Sequence, residues 1–192
     1  IAAALVEDKK VGICSAFPVL GTVPAELTQV ENLYGVESDG TKAEKQNLLP
    51  LGFSITYRKN RPFPHTLHLV PKTVVLGIGC KRGTEAESIR ALIRETLEQN
   101  QIFKESICLI ASIDLKKDEE GIRICAEELG VPFVTWSAEE LEQVQSEDGF
   151  TESAFVRSVA GVGNVCERSA LKGAGTSRLL IRKTAHNGVT VA

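Results

Sequence analysis

The sequence predicts an α/β protein: a layered domain with helices against a largely parallel sheet, preceded by a small β-rich region. From residue 72 onward, short apolar segments rich in β-branched residues alternate with segments that carry helix-start signals and helical apolar spacing. Before residue 72, short strand-like segments are separated by many turn residues. We therefore predict two parts, residues 1–71 and residues 72–192.

The first part contains three strand-like segments. Residues 11–14 predict a short strand, and a loop rich in proline and glycine follows at residues 17–24. Residues 37–47 have almost no apolar content and predict an exposed loop. Apolar and polar residues alternate over residues 51–57, which is typical of a half-buried strand. Residues 65–71 predict another strand, which ends at a proline.

The second part begins with a strand and a helix. Residues 74–78 form a continuous apolar run, which indicates a strand covered on both faces. Thr84 and Glu87 have the spacing of a capping box, so we expect a helix to begin at Thr84. The residues expected on its buried face are Ile89, Leu92, Ile93, Thr96 and Leu97.

The strand and helix alternation continues. Residues 107–113 predict a second buried strand, and residues 118–129 a helix that Gly130 ends in a left-handed conformation. Residues 131–136 predict a third strand, followed by a capping box from Ser137 to Glu140. The buried face of the helix predicted over residues 118–129 is expected to carry Ile122, Cys125, Ala126 and Leu129.

The last part of the chain predicts two short helices and a hairpin. The helices lie within residues 152–173 and are broken at residues 161–163, and Asn164 with Glu167 caps the second of them. Residues 179–181 and 189–191 predict the two hairpin strands, with Asn187 and Gly188 as their turn.

Composition excludes several functional classes. The formal net charge is −3, from 22 basic and 25 acidic residues, so we expect no nucleic-acid or membrane partner. No apolar run approaches the roughly 18 to 20 residues of a membrane helix, and we expect a cytoplasmic protein. The five cysteines include no C-x-x-C pair, which argues against a disulfide framework and a zinc ribbon. The three histidines lack helical pairing, so we expect no metal site.

The chain begins with Ile1 and contains no methionine. We therefore expect either a fragment of a longer protein or a chain from which methionines have been omitted.

The loop after the first strand of the second part is the strongest candidate ligand site. Ligands of parallel sheets gather beyond the carboxyl ends of strands. From Gly77 to Thr84 the chain combines free amides, a helix start and the cations Lys81 and Arg82, which together predict an anion-binding site. The alternative is that the glycines form a tight turn and the cations are solvated. Gly83 comes one residue too late for a dinucleotide fingerprint, and no lysine follows it as in a Walker loop.

A second candidate lies after the next strand. Asp114 follows residues 107–113 directly and is suitably placed for a general base, or for orienting a lysine. The alternative is a surface turn in which Asp118 caps the next helix.

Several stretches of the chain resemble the family of the cobalamin biosynthesis protein CbiG. The likeness spans residues 72–192, and residues 11–24 look like the family's middle region. The second part is also similar to CobE. The segments that carry the resemblance are residues 69–72, 76–84, 111–116, 119–121, 129–132, 137–141, 161–165 and 187–192.

The resemblance implies a cobalt-precorrin-5A hydrolase of anaerobic cobalamin biosynthesis. This activity opens a δ-lactone on the corrin precursor with water and releases acetaldehyde, which gives cobalt-precorrin-5B. Cobalt belongs to the substrate in this scheme, so no cofactor of the protein is implied. Full-length members carry a further N-terminal domain, and if catalytic residues lie there this chain only binds the corrinoid precursor, as a CobE-like carrier would. A homodimer is a further expectation, and a phosphate-sensing α/β domain is a third functional class.

The resemblance also assigns roles to residues. A corrinoid precursor carries many carboxylates, which Lys81, Arg82 and the loop amides are expected to hold. We expect Asp114 or Glu85 to be the general base, and Lys116 or the loop amides to stabilise the oxyanion. The full set expected to bind substrate is Gly77, Gly79, Cys80, Lys81, Arg82, Gly83, Thr84 and Ser137.

Overall fold

A computed structural model describes residues 1–30 and 49–192. The coordinates divide into two compact units, Ile1–Pro71 and Lys72–Ala192, which we call unit 1 and unit 2. The loop predicted at residues 37–47 lies outside the described residues. Within the described ranges, no helix is long and apolar enough to cross a membrane.

Unit 1 is built on a parallel sheet. Its strands lie in the order β2-β1-β3-β4, and every neighbouring pair is parallel. The sequence patterns predicted β1, β3 and β4 but missed the three-residue strand β2, of which only the first residue is apolar. The elements of unit 1 are α1 (Ala2–Val6), β1 (Val11–Ser15), β2 (Leu27–Gln29), β3 (Leu51–Ile55) and β4 (His65–Leu69).

The buried face of β3 is the opposite of the one that the alternating pattern suggests. Gly52 and Ser54 are buried, whereas the apolar residues Leu51, Phe53 and Ile55 are only half-buried. The reason is Phe63, whose ring lies directly on Gly12 and Gly52. A methyl group at either glycine would lie within 2.4 Å of that ring, so only glycine leaves room for it.

Unit 2 has a five-stranded sheet in the order β7-β6-β5-β9-β8. Strands β5, β6 and β7 are parallel, whereas β9 runs antiparallel to β5 and to β8. This confirms the predicted α/β fold with helices against a largely parallel sheet. Its elements are β5 (Val74–Cys80), α2 (Ala86–Gln99), β6 (Ile107–Ile113), α3 (Glu120–Leu129), β7 (Phe133–Trp136), α4 (Ala138–Glu142), α5 (Ala154–Ala160), α6 (Cys166–Ala174), β8 (Thr184–His186) and β9 (Val189–Val191).

Helix α6 packs directly on the sheet of unit 2. Gly77 in β5 lies under its first turn, where a methyl group would be 1.8 Å from the carbonyl oxygen of Cys166. Gly77 therefore serves helix-to-sheet packing. Helix α2 buries the five residues that its periodicity predicts, and α3 buries Ile122, Cys125 and Ala126 while Leu129 is only half-buried.

The structure confirms two predicted helix caps, one predicted helix end and the predicted hairpin turn. Ser137 Oγ accepts a hydrogen bond from the Glu140 amide at 3.1 Å, and the Glu140 carboxylate accepts one from the Ser137 amide at 3.0 Å. Asn164 Oδ1 accepts from the Glu167 amide at 2.9 Å, as expected of a cap. Gly130 ends α3 in the left-handed region, and Asn187 and Gly188 form the hairpin turn with positive φ at both residues.

The predicted capping box at Thr84 is wrong. The Thr84 hydroxyl donates to the Lys81 carbonyl oxygen at 2.7 Å, and α2 begins only at Ala86, with Glu85 at its N-cap position. Helix α3 likewise begins at Glu120 with Glu119 at its N-cap position, so Asp118 is not the cap.

The first hairpin strand was also predicted in the wrong place. It spans Thr184–His186 rather than residues 179–181. The reason is the two-residue turn, which pairs His186 with Val189 and so brings the residues immediately before Asn187 into the sheet.

Candidate functional site

Unit 2 contains a cavity of about 750 Å³ at the carboxyl ends of β5 and β6. This volume lies in the range of small-molecule sites, roughly 300–1,000 Å³. Beyond the two strand ends, the walls come from α5, from the start of α6 and from the β8–β9 hairpin. The position is the one at which parallel sheets bind ligands.

One side of the cavity is apolar and open to solvent. Phe155 and Val159, one helical turn apart on α5, are 72% and 64% exposed, and Leu115 is 57% exposed. Val156 and Ala160 complete this side from the same helix. Exposed apolar side chains that converge on a cavity indicate a surface that a ligand covers.

The other side of the cavity is cationic. Lys81 and Arg82 follow β5, Lys116 follows β6, and Lys183 lies just before β8; His186 in the hairpin also lines the cavity. Among the residues that the structure describes, no acidic side chain lines the cavity. The side chains that line the cavity therefore attract anions, although Glu119, which does not line it, neutralises Lys116 at 2.9 Å.

The loop that carries Lys81 and Arg82 is tied to the hairpin. The Lys81 amide donates to the Gly188 carbonyl oxygen at 3.2 Å. The aliphatic part of the Lys81 side chain lies over Gly188, about 3.0 Å from where a methyl group would stand. Both cations are exposed.

The predicted anion-binding amides already have an acceptor within the protein. The Gly83 amide donates to Glu119 Oε1 at 2.6 Å, and Lys116 Nζ donates to Glu119 Oε2 at 2.9 Å. Burial alone would raise the pKa of Glu119, but Lys116 and the Gly83 amide together hold the pKa below its usual value of 4.5. In this structure the Gly83 amide is thus bound to Glu119, and its expected role in holding an anion stays a prediction.

The two carboxylates expected to act as general base do not line the cavity. Asp114 is exposed and accepts a hydrogen bond from Thr135 Oγ1 at 2.7 Å. Glu85 is exposed at the N-cap position of α2. Lys116 does line the cavity, although its ammonium group is paired with Glu119.

The residues expected to bind substrate separate into two groups. Gly79, Cys80, Lys81 and Arg82 line the cavity. The other four have structural positions: Gly77 lies under α6, Gly83 has a positive φ of 72°, Thr84 bonds the Lys81 carbonyl and Ser137 caps α4.

Two cysteines line the cavity, and neither has the environment of a reactive thiolate. Burial raises the pKa of Cys80, partly offset by Lys116. Burial raises the pKa of Cys166 to about 11. Both are therefore neutral thiols at neutral pH. No group of three or more potential metal ligands occurs within residues 1–30 and 49–192, and the expectation that the protein holds no metal stays a prediction.

The apolar side of the site, and Lys183 and His186 in its lining, were not predicted from the sequence. Phe155 and Val159 stand one turn apart in a helix that buries none of its residues, a combination that signals an exposed apolar face. No local signal identifies Lys183 or His186, because they reach the cavity only when β9 pairs with β5.

The family profile described as "Cobalamin synthesis G C-terminus" matches residues 74–192. A cobalt-precorrin-5A hydrolase from Priestia megaterium is 35% identical over 64% of this chain and 32% of its own length. One from Salmonella typhimurium is 40% identical over 54% of this chain and 29% of its own length. The chain thus spans about a third of the length of these curated hydrolases.

The chain is also similar to CobE and to a solved homolog of cobalamin biosynthesis protein G. CobE from Sinorhizobium is 34% identical over 56% of this chain and 70% of its own length. The crystal structure of a CobE from the cobalamin biosynthetic pathway matches with a TM-score of 0.55 and 30% identity, covering 64% of this chain and 89% of that one. A cobalamin biosynthesis protein G homolog from Sulfolobus solfataricus matches with a TM-score of 0.51 and 25% identity, covering 99% and 51%. Since the profile matches more than half of the chain, the chain belongs to the family of the cobalamin synthesis protein G C-terminus.

Proposed function

We propose that unit 2 binds the corrinoid precursor in a cobalt-precorrin-5A hydrolase of cobalamin biosynthesis. The observation that carries the proposal is the cavity, with an apolar side from α5 and a side with four cations and no carboxylate in its lining. The hydrolases from Priestia megaterium and Salmonella typhimurium support the choice of substrate.

The two sides of the cavity suit a macrocycle with acidic side chains. A corrin precursor presents a broad apolar ring with acetate and propionate groups at its edge. Phe155 and Val159 offer contact to the ring, whereas Lys81 and Arg82 offer charge to the carboxylates. Arginine binds a carboxylate through two parallel hydrogen bonds, and lysine follows a carboxylate with a flexible stem.

The same cations favour the proposed reaction. Water attacks the lactone carbonyl, negative charge develops on its oxygen, and the lactone becomes a carboxylate and a hydroxyl. The freed hydroxyl lies on the methylated carbon; it loses its proton and becomes the carbonyl of acetaldehyde as the carbon–carbon bond to the macrocycle breaks, and the macrocycle takes up the electron pair and a proton. Cations fixed beside the lactone stabilise the developing charge without reorganisation. Cobalt enters with the substrate in this proposal, and the protein supplies no cofactor.

None of the residues expected to act as general base or oxyanion donor lines the cavity with a free side chain. Neither Asp114 nor Glu85 lines it, and Lys116 is paired with Glu119. The curated hydrolases extend well beyond the region that this chain matches. We therefore propose that the base lies in another part of the enzyme. The predicted homodimer and cytoplasmic location stay predictions.

A second candidate is a corrinoid carrier without catalytic activity. It is favoured by the same lack of a lining carboxylate and by the match to CobE, of which the chain covers 70%. The two candidates differ in one product. Incubation with cobalt-precorrin-5A should yield acetaldehyde from a full-length relative, and acetaldehyde from this chain alone would show that it carries its own base. A full-length relative that releases none would contradict the hydrolase proposal.

Charge removal at the loop tests the binding mode. We expect the chain to bind cobyrinic acid, a cobalt corrin with free carboxylates, more tightly than its neutral methyl ester. Lys81→Gln with Arg82→Gln should weaken binding of the acid about tenfold or more and reduce its salt dependence, because exposed charges are screened. Binding of the ester should change little.

Arg94→Gln is the matched control, because Arg94 is exposed on α2 and does not line the cavity. Absorbance titration of the corrin measures binding by the wild type and by both variants. Equal affinity of the wild type and the Lys81/Arg82 variant for the acid would contradict the proposed docking.

A further inference from the structure

Glu167 is a fully buried carboxylate in the first turn of α6, with none of its surface exposed. A carboxylate in such a place is costly unless every oxygen is matched by donors. Its side chain does not line the cavity, and none of the roles assigned above uses it. The hydrogen-bond donors to the Glu167 carboxylate therefore indicate which segments it holds together.

The Glu167 carboxylate accepts hydrogen bonds from three separate segments. Oε2 accepts from the Thr151 amide at 2.9 Å and from Asn164 Nδ2 at 2.6 Å. Oε1 accepts from the Lys183 amide at 2.8 Å and from Thr151 Oγ1 at 3.4 Å. The guanidinium of Arg182 lies 3.5 Å away. Every partner is a donor.

Two of these segments lead directly into walls of the cavity. Thr151 lies just before α5, which carries the apolar side, and Lys183 both lines the cavity and precedes β8. Lys183 Nζ donates to the Thr151 carbonyl oxygen at 2.9 Å, so the two segments also bind each other. Asn164, the third partner, is itself part of the lining.

We propose that Glu167 is a positioning residue: its buried carboxylate joins the start of α5 to Lys183 and so sets the spacing between the apolar side and the hairpin cation. The consequence for binding rests on the proposed function, whereas the positioning itself does not. Glu167 touches no substrate in this proposal and acts through Thr151 and Lys183.

Only a carboxylate satisfies this set of partners. Glutamine has the same shape, but its amide nitrogen would face donors and could accept from none of them. In Glu167→Gln at least one of the Thr151 and Lys183 amides therefore loses its acceptor. We expect the two segments to separate and binding of cobyrinic acid to weaken about tenfold, the usual scale for one lost buried hydrogen bond.

Hydrogen exchange tests the positioning without any ligand. Thr151 and Lys183 lie outside the regular elements, so their amides should exchange rapidly unless Glu167 holds them. In the wild-type chain we expect both amides to be protected to a similar degree as those of α6. Exchange at the rates of free loops would overturn the proposal, and this measurement does not depend on whether any variant folds.

Double-mutant cycles test the effect on the site. If Glu167 acts through Lys183, Lys183→Met should weaken binding of cobyrinic acid in the wild type but add little in Glu167→Gln. Lys81→Met should weaken binding by the same factor in both backgrounds, because within the described residues no hydrogen bond or ion pair joins Lys81 to Glu167, Thr151 or Lys183. Glu127→Gln, exposed on α3, is the control for loss of one negative charge.

The outcomes separate the two proposals. Two additive cycles would mean that Glu167 supports only general stability, which would overturn the inference. A wild-type chain that binds neither corrin would overturn the proposed function, and hydrogen exchange would still decide the positioning role of Glu167.

Discussion

At the residue scale, Glu119 decides what the glycine loop can do. Its carboxylate binds the Gly83 amide and Lys116, so the backbone donor and one cation are used inside the protein. Gly121 brings α3 against the same loop, since a methyl group there would lie 2.2 Å from the Thr84 carbonyl oxygen. The loop is thus held from the α3 side while Lys81 and Arg82 remain exposed. Charge is presented to a ligand by side chains, on a backbone that other residues fix.

Glu119→Gln is expected to make stability less dependent on acid pH. Because the pKa of Glu119 is below its usual value of 4.5 in the folded protein, its charge stabilises the fold above that value. This stabilisation is lost as the pH falls through the folded pKa. We expect the variant to be about 1–3 kcal/mol less stable at neutral pH. The difference should shrink as the pH falls below 4.5 and through the lowered pKa of Glu119, which urea unfolding at several pH values measures.

Glu127→Gln, at an exposed position of the neighbouring helix, should leave the pH profile unchanged. A constant stability difference between Glu119→Gln and the wild type from neutral to acid pH would show that the charge of Glu119 is not the cause.

At the element scale, α5 is unusual because it buries none of its seven residues. A helix this short is not stable alone. It is held at its start by Ser153 Oγ, which accepts from the Val156 amide at 3.3 Å, and at its end by Gly161 in the left-handed region. Arg157 joins it to Glu142 and Glu152, at 3.1 Å each. Val156 and Ala160 pack against the core of unit 2, whereas Phe155 and Val159 remain exposed and are not used by the fold.

Shortening Phe155 and Val159 to alanine should therefore impair binding more than folding. Loss of these side chains removes apolar contact with the ring, at about 1.5–3 kcal/mol for a fully covered side chain. We expect weaker binding of cobyrinic acid and of its methyl ester by similar factors, with a nearly unchanged melting temperature. Leu180→Ala is the control, since Leu180 is 48% exposed and does not line the cavity. Unchanged affinity for the ester would contradict this role of α5.

At the scale of the whole molecule, unit 2 contains the cavity entirely. All residues that line it lie between Gly79 and Thr190. Unit 2 also has its own core, in which Ile113, Leu141, Val162 and Val165 form one buried cluster. The match covers 89% of the solved CobE chain, so most of that protein consists of the matched fold.

Residues 72–192 expressed alone are therefore expected to fold and to bind. We expect one cooperative thermal transition by circular dichroism and the same affinity for cobyrinic acid as the whole chain. A broad transition would show that residues 1–71 contribute to the folding of unit 2. Lower affinity in a chain that still folds would show that they contribute to binding.

Local patterns predicted most of the elements of unit 2. The bounds of strand β6 were predicted correctly because a continuous apolar run is typical of a strand that is covered on both faces. The Ser137 capping box was predicted because all its atoms lie within four residues. The equivalent prediction at Thr84 failed because the Thr84 hydroxyl donates to the Lys81 carbonyl oxygen and the helix begins only at Ala86. The hairpin strand was misplaced because apolar content was given more weight than the register of the turn.

By itself, the sequence determined the fold class, the buried faces of α2 and α3, and the presence of two cations after β5, because these depend on periodicity and on hydrogen bonds between near neighbours. Only the tertiary structure decided which residues share the cavity. Strand β9 pairs with β5, with Thr190 Oγ1 bonded to the Gly79 carbonyl across 111 residues, and this pairing brings Lys183 and His186 to Lys81 and Arg82. Contacts between such distant residues leave no local pattern, because each partner forms its own element for unrelated local reasons.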